Sequence, residues 1–391
     1  AVTGRAEPEL PGGEVSRGLV AAALDTAKQH HDPTHQGFRQ QQKFPTPVKW
    51  RWLLHEYRRH GDPELGEMIT GALDAMQNGG LQDHVGGGFH RYTVDPAWTV
   101  PHFEKMLYDN GQLAGLFIEA GVALERPDWL ATGLDVLEFL MRDMRDERGA
   151  FYASFDADSG GEEGTFYVWN REEIAAAVGP QDGPVLADLL GVTAAGNFEH
   201  TGRSVLTRRA DVTETARRHG RDPDDASELF ARHRGTLRRA RTERVTPDLD
   251  RKIVASWNGL VFASLAQATA ATGDARYLAA AELAADHLLA VHRRPDGSLW
   301  RTSVDGRTAG EGVLDDYAFV AAGLVQMHQV AGGGRWLAAA RELADHARAR
   351  FAREGGGWHL AAADAATPLG RSLECFDSVE PSGNAVLLNV L

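Results

Sequence analysis

The sequence predicts an all-α protein whose helices form two concentric rings. Three observations carry that expectation. The stretch opening Arg276-Tyr277-Leu278-Ala279-Ala280-Ala281 and ending in Asp286-His287 recurs 59 residues later as Arg335-Trp336-Leu337-Ala338-Ala339-Ala340, ending in Asp345-His346. A repeat of that length holds a helical hairpin, and stacked hairpins bury faces that none could bury alone. The helices also alternate in kind: 257–272 carries no charged residue and 316–330 none beyond its first, whereas 274–292 and 335–351 are amphipathic. A helix apolar all round belongs inside, and one with a polar face belongs at the surface. The connections alternate too. Those from inner to outer helices, at Gly61, Arg126, Gly273 and Gly332, are short, and those leading back are long, so all the long loops share one rim.

Taken in order, 1–13 is polar and glycine-rich and reads as a linker, and 14–391 reads as the helical domain. An apolar stripe through Val15, Leu19, Ala22 and Ala23 gives a helix over 14–30, which stops before Asp32-Pro33. After a loop holding Lys43-Phe44-Pro45 come helices over 48–60 and 64–78, parted by the Gly61-Asp62-Pro63 turn. A glycine-rich loop leads to a helix over 103–124, with Pro101 suited to its first turn because the missing N–H would be unpaired there. The Arg126-Pro127 turn and a helix over 128–144 follow. The composition then shifts over 149–250, which reads as an insertion: strands at 151–155 and 165–169 flank an acidic turn, with short helices at 172–178, 184–190 and 226–244. Regular helices resume, and another begins after Pro381.

Composition narrows the function. With 391 residues and 43% hydrophobic content the chain can bury a large core. A net charge of −14 supplies no basic footprint for nucleic acid. The single cysteine, Cys375, rules out an internal disulfide framework and a cysteine-based zinc site, and a reducing, cytoplasmic setting is expected. No apolar run approaches the ~18 residues that a membrane helix needs, so no membrane partner is expected. Because the chain opens on Ala1, an upstream segment is expected to have been removed.

The densest chemistry lies between Gly86 and Asn110, where three glycines lead into His90, Arg91 and Tyr92, then Trp98, His102, Glu104, Lys105, Tyr108, Asp109 and Asn110. Four further loops carry Lys43-Phe44-Pro45, Ser256-Trp257-Asn258-Gly259, Leu314-Asp315-Asp316-Tyr317 and Glu380-Pro381-Ser382-Gly383-Asn384. On the shared rim these five converge on one pocket for a polar small molecule.

The blocks KFP, GGGFHRY, PHFEKMLYDN, FDADS with EEGTFYVW, SWNGL, LDDYAF and PSGNAV, in this order, resemble the family of spermatogenesis-associated, thioredoxin-domain-containing proteins, from about Phe38 to Leu391. The resemblance implies a thioredoxin-like domain, absent here, followed by an (α/α)6 six-hairpin toroid related to glycosidases and N-acylglucosamine 2-epimerases. The chain shows nine complete ring helices and the start of a tenth, so the toroid is expected to be incomplete at its C-terminus and to self-associate through exposed flanks.

The fold thus implied directs attention to sugar chemistry without a cofactor, with epimerisation or isomerisation placed ahead of glycoside hydrolysis. Epimerisation needs a proton acceptor and donor of near-neutral pKa, for which His90 and His102 are the candidates. Hydrolysis needs two carboxylates across the scissile bond, for which Glu104 and Asp316 come from different loops. Trp98, Trp257 and Tyr317 suit stacking on a sugar ring. Lys43, Arg91, Tyr108, Asp109, Asn110, Asn258 and Asn384 are the candidate polar contacts. Lys105 and Asp109, four apart, fit a helical ion pair. The acids of 156–163 lack the spacing of a calcium loop, so no metal is expected. The other class of reading is a non-catalytic binding module that serves the thioredoxin-like domain.

Overall fold

The computed structural model describes residues 16–365 and 370–391, so the expected linker lies outside the described residues. Five helices come first: α1 (Arg17–His30), α2 (Pro47–His60), α3 (Pro63–Asn78), α4 (Leu107–Ala123) and α5 (Pro127–Asp143). The segment that follows holds α6 (Arg171–Val178), α7 (Gly183–Leu189), α8 (Val212–Arg218) and α9 (Pro223–Arg241). Then come α10 (Ala255–Thr272), α11 (Ala275–Val291), α12 (Leu314–Ala331), α13 (Arg335–Arg350) and α14 (Gly383–Val390). The inner helices α2, α4, α10, α12 and α14 pack side by side in that order, and α3, α5, α11 and α13 each back onto the inner helix before them. Inner helices touch closely: a Cβ on Gly259 of α10 would stand 2.5 Å from the Phe319 backbone of α12, and one on Gly323 of α12 would stand equally near the Gly259 carbonyl oxygen.

The short connections are set by local chemistry. Gly61 and Gly273 end α2 and α10 in the left-handed conformation, and Asp62 and Asp274 then cap α3 and α11 by accepting the N–H of Glu64 and Arg276. The long connections share a construction that the sequence did not reveal. Each outer helix is followed by a turn closed by one antiparallel bridge, His31 to Phe38, Gln82 to Phe89, Arg145 to Phe151, Arg293 to Leu299 and Ala352 to Trp358. A side chain near the start of the next inner helix grips the second member of four of these bridges. Asn110 accepts from the Phe89 N–H at 2.7 Å and donates to its carbonyl at 3.0 Å. Asn258 does the same to Phe151 at 2.8 and 3.0 Å, and Asn384 to Trp358 at 2.8 Å each way. The Tyr317 hydroxyl accepts from the Leu299 N–H at 2.8 Å, and in the first repeat Phe38 stacks on Trp50 at 4.7 Å.

Small sheets line the rim. The strands β1 (Tyr92–Thr93) and β2 (Pro101–His102) pair, and β3 (Lys105–Met106) joins β4 (Ser154–Phe155) and β7 (Leu249–Asp250). A hairpin of β5 (Asp158–Ser159) and β6 (Glu162–Glu163) closes the acidic turn, while β8 (Ile253–Val254) extends the hairpin of β9 (Trp300–Val304) and β10 (Arg307–Glu311). This pairing corrects the helix expected from Phe103. Pro101 and Lys105 are engaged in strands, so α4 starts only at Leu107. The strand expected over 165–169 is a turn in which Trp169 alone pairs, with Ser204. Val85, Trp169, Ile174, Leu186, Leu229 and Leu237 give the segment α6–α9 a core of its own.

Asn258→Ala strips both backbone groups of Phe151 of their partner in a dry interior, and stability should fall by about 3 kcal/mol in urea unfolding. An unchanged midpoint would remove the asparagine from its role in holding the loop.

Candidate active site

Much of the chemistry between Gly86 and Asn110 is engaged inside the protein. Asp83, buried, accepts from Arg241 at 2.7 and 2.9 Å, from Lys105 Nζ at 2.7 Å and from the N–H groups of Val85 and Gly86. Burial opposes its ionisation, but Arg241 and Lys105 outweigh that and hold the carboxyl well below the usual range. Lys105 also donates to the Gly87 carbonyl at 2.8 Å and lies over the Phe139 ring, so its partner is Asp83 and not Asp109. Burial lowers the Lys105 ammonium to about 8. His90 sits between the rings of Phe103 and Tyr167, 2.9 Å from the Phe103 carbonyl; burial, then Lys105, lower it to about 3. A neutral imidazole fixed in this way is no general base for a substrate at the rim.

Other expected site residues are likewise internal. Lys43 gives all three N–H groups to Asp32, Gln36 and Phe38, at 2.7, 3.0 and 2.7 Å. Trp98 is buried, with its indole N–H on the His35 carbonyl at 2.9 Å. Asn110, Asn258, Asn384 and Tyr317 grip loop backbone as described, and Tyr317 stacks on His346. Asp316 is fully buried and accepts from the Ser256 N–H at 3.0 Å and the Val313 N–H at 2.9 Å, which ties α10 to α12. The sequence expectation that these groups face a ligand is corrected by their geometry: their polar atoms already have partners.

The remaining candidates gather at the rim. His102 lies 2.7 Å from Glu163 and 3.2 Å from Glu104, which also receives Arg91 at 2.8 Å, and the imidazole stacks on Tyr92. Asp109 is buried below Arg91 with one oxygen unpartnered. Its pKa is raised well above the usual range by burial, with Glu380 and Glu104 adding to the effect against Arg91. Tyr108 sets its ring edge-on to Trp257 at 5.0 Å.

Beyond Trp257 stand two carboxyl groups that titrate near neutrality. Burial, reinforced by Asp315, lifts Glu380 to about 7 despite Arg301 and a hydrogen bond to Trp257. Burial, reinforced by Asp316, lifts Asp315 to about 6, and its oxygen lies against the Gly383 backbone. Both side chains are half-buried. Sequence reasoning missed Asp315, Glu380, Arg301 and Glu163. Of the adjacent pair Asp315-Asp316 it chose the helix cap. The N3 position of Asp316 was the available signal that this acid would be held by backbone. Among the described residues no group of three or more His, Cys, Asp or Glu could hold a metal ion, and no helix is long and apolar enough to cross a membrane.

Two rings of helices with a polar site on the loop-bearing rim define a six-hairpin α/α toroid. An unsaturated glucuronyl hydrolase from Bacillus sp. GL1 shares the fold at 14% identity, over 89% of this chain and 73% of that one, with a TM-score of 0.51. A family 76 glycoside hydrolase (mannosidase) from Bacteroides thetaiotaomicron does so at 10% identity, over 89% and 70%, with a TM-score of 0.51. No family model matches the chain. The chain is homologous to the proteins named spermatogenesis-associated protein 20: the human protein is 34% identical over 91% of this chain and 50% of its own length, and the mouse protein 33% over the same shares. The chain thus spans about half the length of the curated relatives it matches.

Stability should report the raised carboxyls. Between their ordinary values of 3.8 and 4.5 and their folded values of about 6 and about 7, the folded protein binds more protons than the unfolded chain, so stability falls as pH rises through that window. We expect a loss of about 2 kcal/mol between pH ~5 and ~8, after allowance for solvent screening. The Asp315→Asn/Glu380→Gln double variant should flatten the curve, and an equal slope in parent and variant would contradict the assignment.

Proposed function

We propose that the toroid acts on a carbohydrate at this rim by carboxylic acid chemistry, with Glu380 as proton donor and Asp315 as its carboxylate partner in cleaving a glycosidic bond. The observation that carries the reading is a half-buried carboxyl beside an indole, held at about 7 where an ordinary glutamate titrates at 4.5. At neutral pH such a group still holds the proton that a departing sugar oxygen needs, while Asp315, at about 6, is mostly ionised and suited to activating water or stabilising the developing positive charge. Trp257 offers an apolar face for a sugar ring, and Arg91 and Arg301, each part-exposed, offer donors for its hydroxyls or an acid substituent. The glycoside hydrolases that share the fold support this class of substrate.

Hydrolysis stands ahead of epimerisation because the two histidines suit the latter poorly. His90 is sealed in the core, and His102 is engaged by carboxylates on both ring nitrogens. A sugar-like ligand is the proposed partner, and a non-catalytic binding module is the outcome in which a sugar binds and is not turned over.

The test is turnover of an aryl glycoside panel by the parent and by Glu380→Gln and Asp315→Asn. Each variant should lose a factor of about 10² to 10⁴ with folding kept. In the parent, activity should fall as pH rises through about 7, where Glu380 loses its proton. Full turnover in Glu380→Gln, or no turnover of any glycoside by the parent, would overturn the proposal.

A further inference from the structure

A second cavity, sharing no residue with the rim carboxylates, lies between α5 and α9 and has a volume of about 460 Å³. Such a volume is in the range of small-molecule sites. Its lining brings together Lys105, Arg142, Arg238 and Arg241 with the rings of Phe139, Phe166 and Tyr167. Among the described residues the one lining acid is Asp143, which Arg142 already engages at 2.5 Å. This concentration of cations stands in a chain whose net charge is −14.

The cations at the floor are buried yet keep hydrogen-bonding capacity. Lys105 uses two of its three N–H groups, on Asp83 and Gly87. Arg241 uses two of its five, both on Asp83, and lies over the Phe166 ring at 4.7 Å. The absence of a side chain at Gly86 makes this possible: a Cβ there would meet Arg241 Nη2 at 2.0 Å. At the mouth, the Arg238 side chain is exposed and makes no hydrogen bond or ion pair among the described residues, while Arg142 reaches the Gly86 carbonyl at 2.5 Å. One buried carboxylate, Asp83, is shared by two buried cations, so the floor carries an excess positive charge facing the cavity.

We propose that this cavity binds a phosphate monoester carried on a flat apolar body, the phosphate meeting the arginine and lysine donors and the body lying against the aromatic rings. Arginine forks match phosphate oxygens, and a doubly charged head answers the surplus of cations better than a carboxylate does. The apolar body takes the place of water against Phe139, Phe166 and Tyr167.

Calorimetric titration of the full chain with 1-naphthyl phosphate tests the site, with 1-naphthoate, 1-naphthol and inorganic phosphate as comparators. The phosphate ester should bind, and each comparator should bind about tenfold more weakly or worse. Arg238→Glu should weaken the ester by about tenfold or more with an unchanged thermal midpoint, because the exposed guanidinium makes no hydrogen bond or ion pair among the described residues. No binding of the ester at millimolar concentration, equal binding of the neutral naphthol, or unaltered affinity in Arg238→Glu would each overturn the assignment.

Discussion

Every loop that returns from the outer to the inner ring buries a short extended segment whose backbone must find a hydrogen-bonding partner away from water. An unmet N–H or carbonyl in such a place costs as much as a hydrogen bond is worth in a dry medium. Asn110, Asn258 and Asn384 each meet both groups with one amide, and the Tyr317 hydroxyl meets the N–H of its loop. That requirement fixes the rotation of α4, α10, α12 and α14, and so fixes what their neighbouring residues face. The residues just before the three grips at 110, 258 and 317 are Asp109, Trp257 and Asp316, and all three belong to the electrostatic surroundings of Glu380. The device that closes the fold is thus the device that assembles the rim.

Burial acts on two groups of carboxylates here with opposite results. Asp83 is enclosed with Arg241 and Lys105, so the attraction of two cations exceeds the cost of desolvation and the group stays ionised. Asp109, Asp315, Asp316 and Glu380 are enclosed largely with one another, facing Arg91 and Arg301, and their protons are held more tightly. The first arrangement is a structural lock beneath the glycine-rich loop. In the second, Asp315 and Glu380 can exchange protons near neutral pH, which is what acid and base catalysis requires.

The ring architecture was legible because it rests on periodicity: charge-free helices inside, amphipathic helices outside, and a 59-residue repeat of Arg276 and Arg335. The helices over 48–60, 64–78 and 335–351 lie within a residue or so of α2, α3 and α13. The start of α4 was not legible, because Pro101 fits the first turn of a helix as well as the edge strand it occupies. The site was only half legible. Sequence brought Glu104, Asp109, Trp257 and the 380–384 loop to one rim. It could not distinguish Asp315 from Asp316, since that difference lies in which carboxyl meets the backbone N–H of Val313 and Ser256. Nor did it show that His90 is sealed by Phe103 and Tyr167, or that Arg301 arrives from the β9–β10 hairpin.

The central claim is that the rim holds a carboxyl group that is still protonated at neutral pH. Carbon-13 NMR of the protein labelled at its glutamate and aspartate carboxyl carbons, with Glu380 assigned through Glu380→Gln, measures this group directly. The structure predicts a midpoint for Glu380 at about 7, with Asp315 following at about 6. A Glu380 midpoint at its ordinary value of 4.5 would contradict the account, because the proposed proton donor would then be ionised at neutral pH.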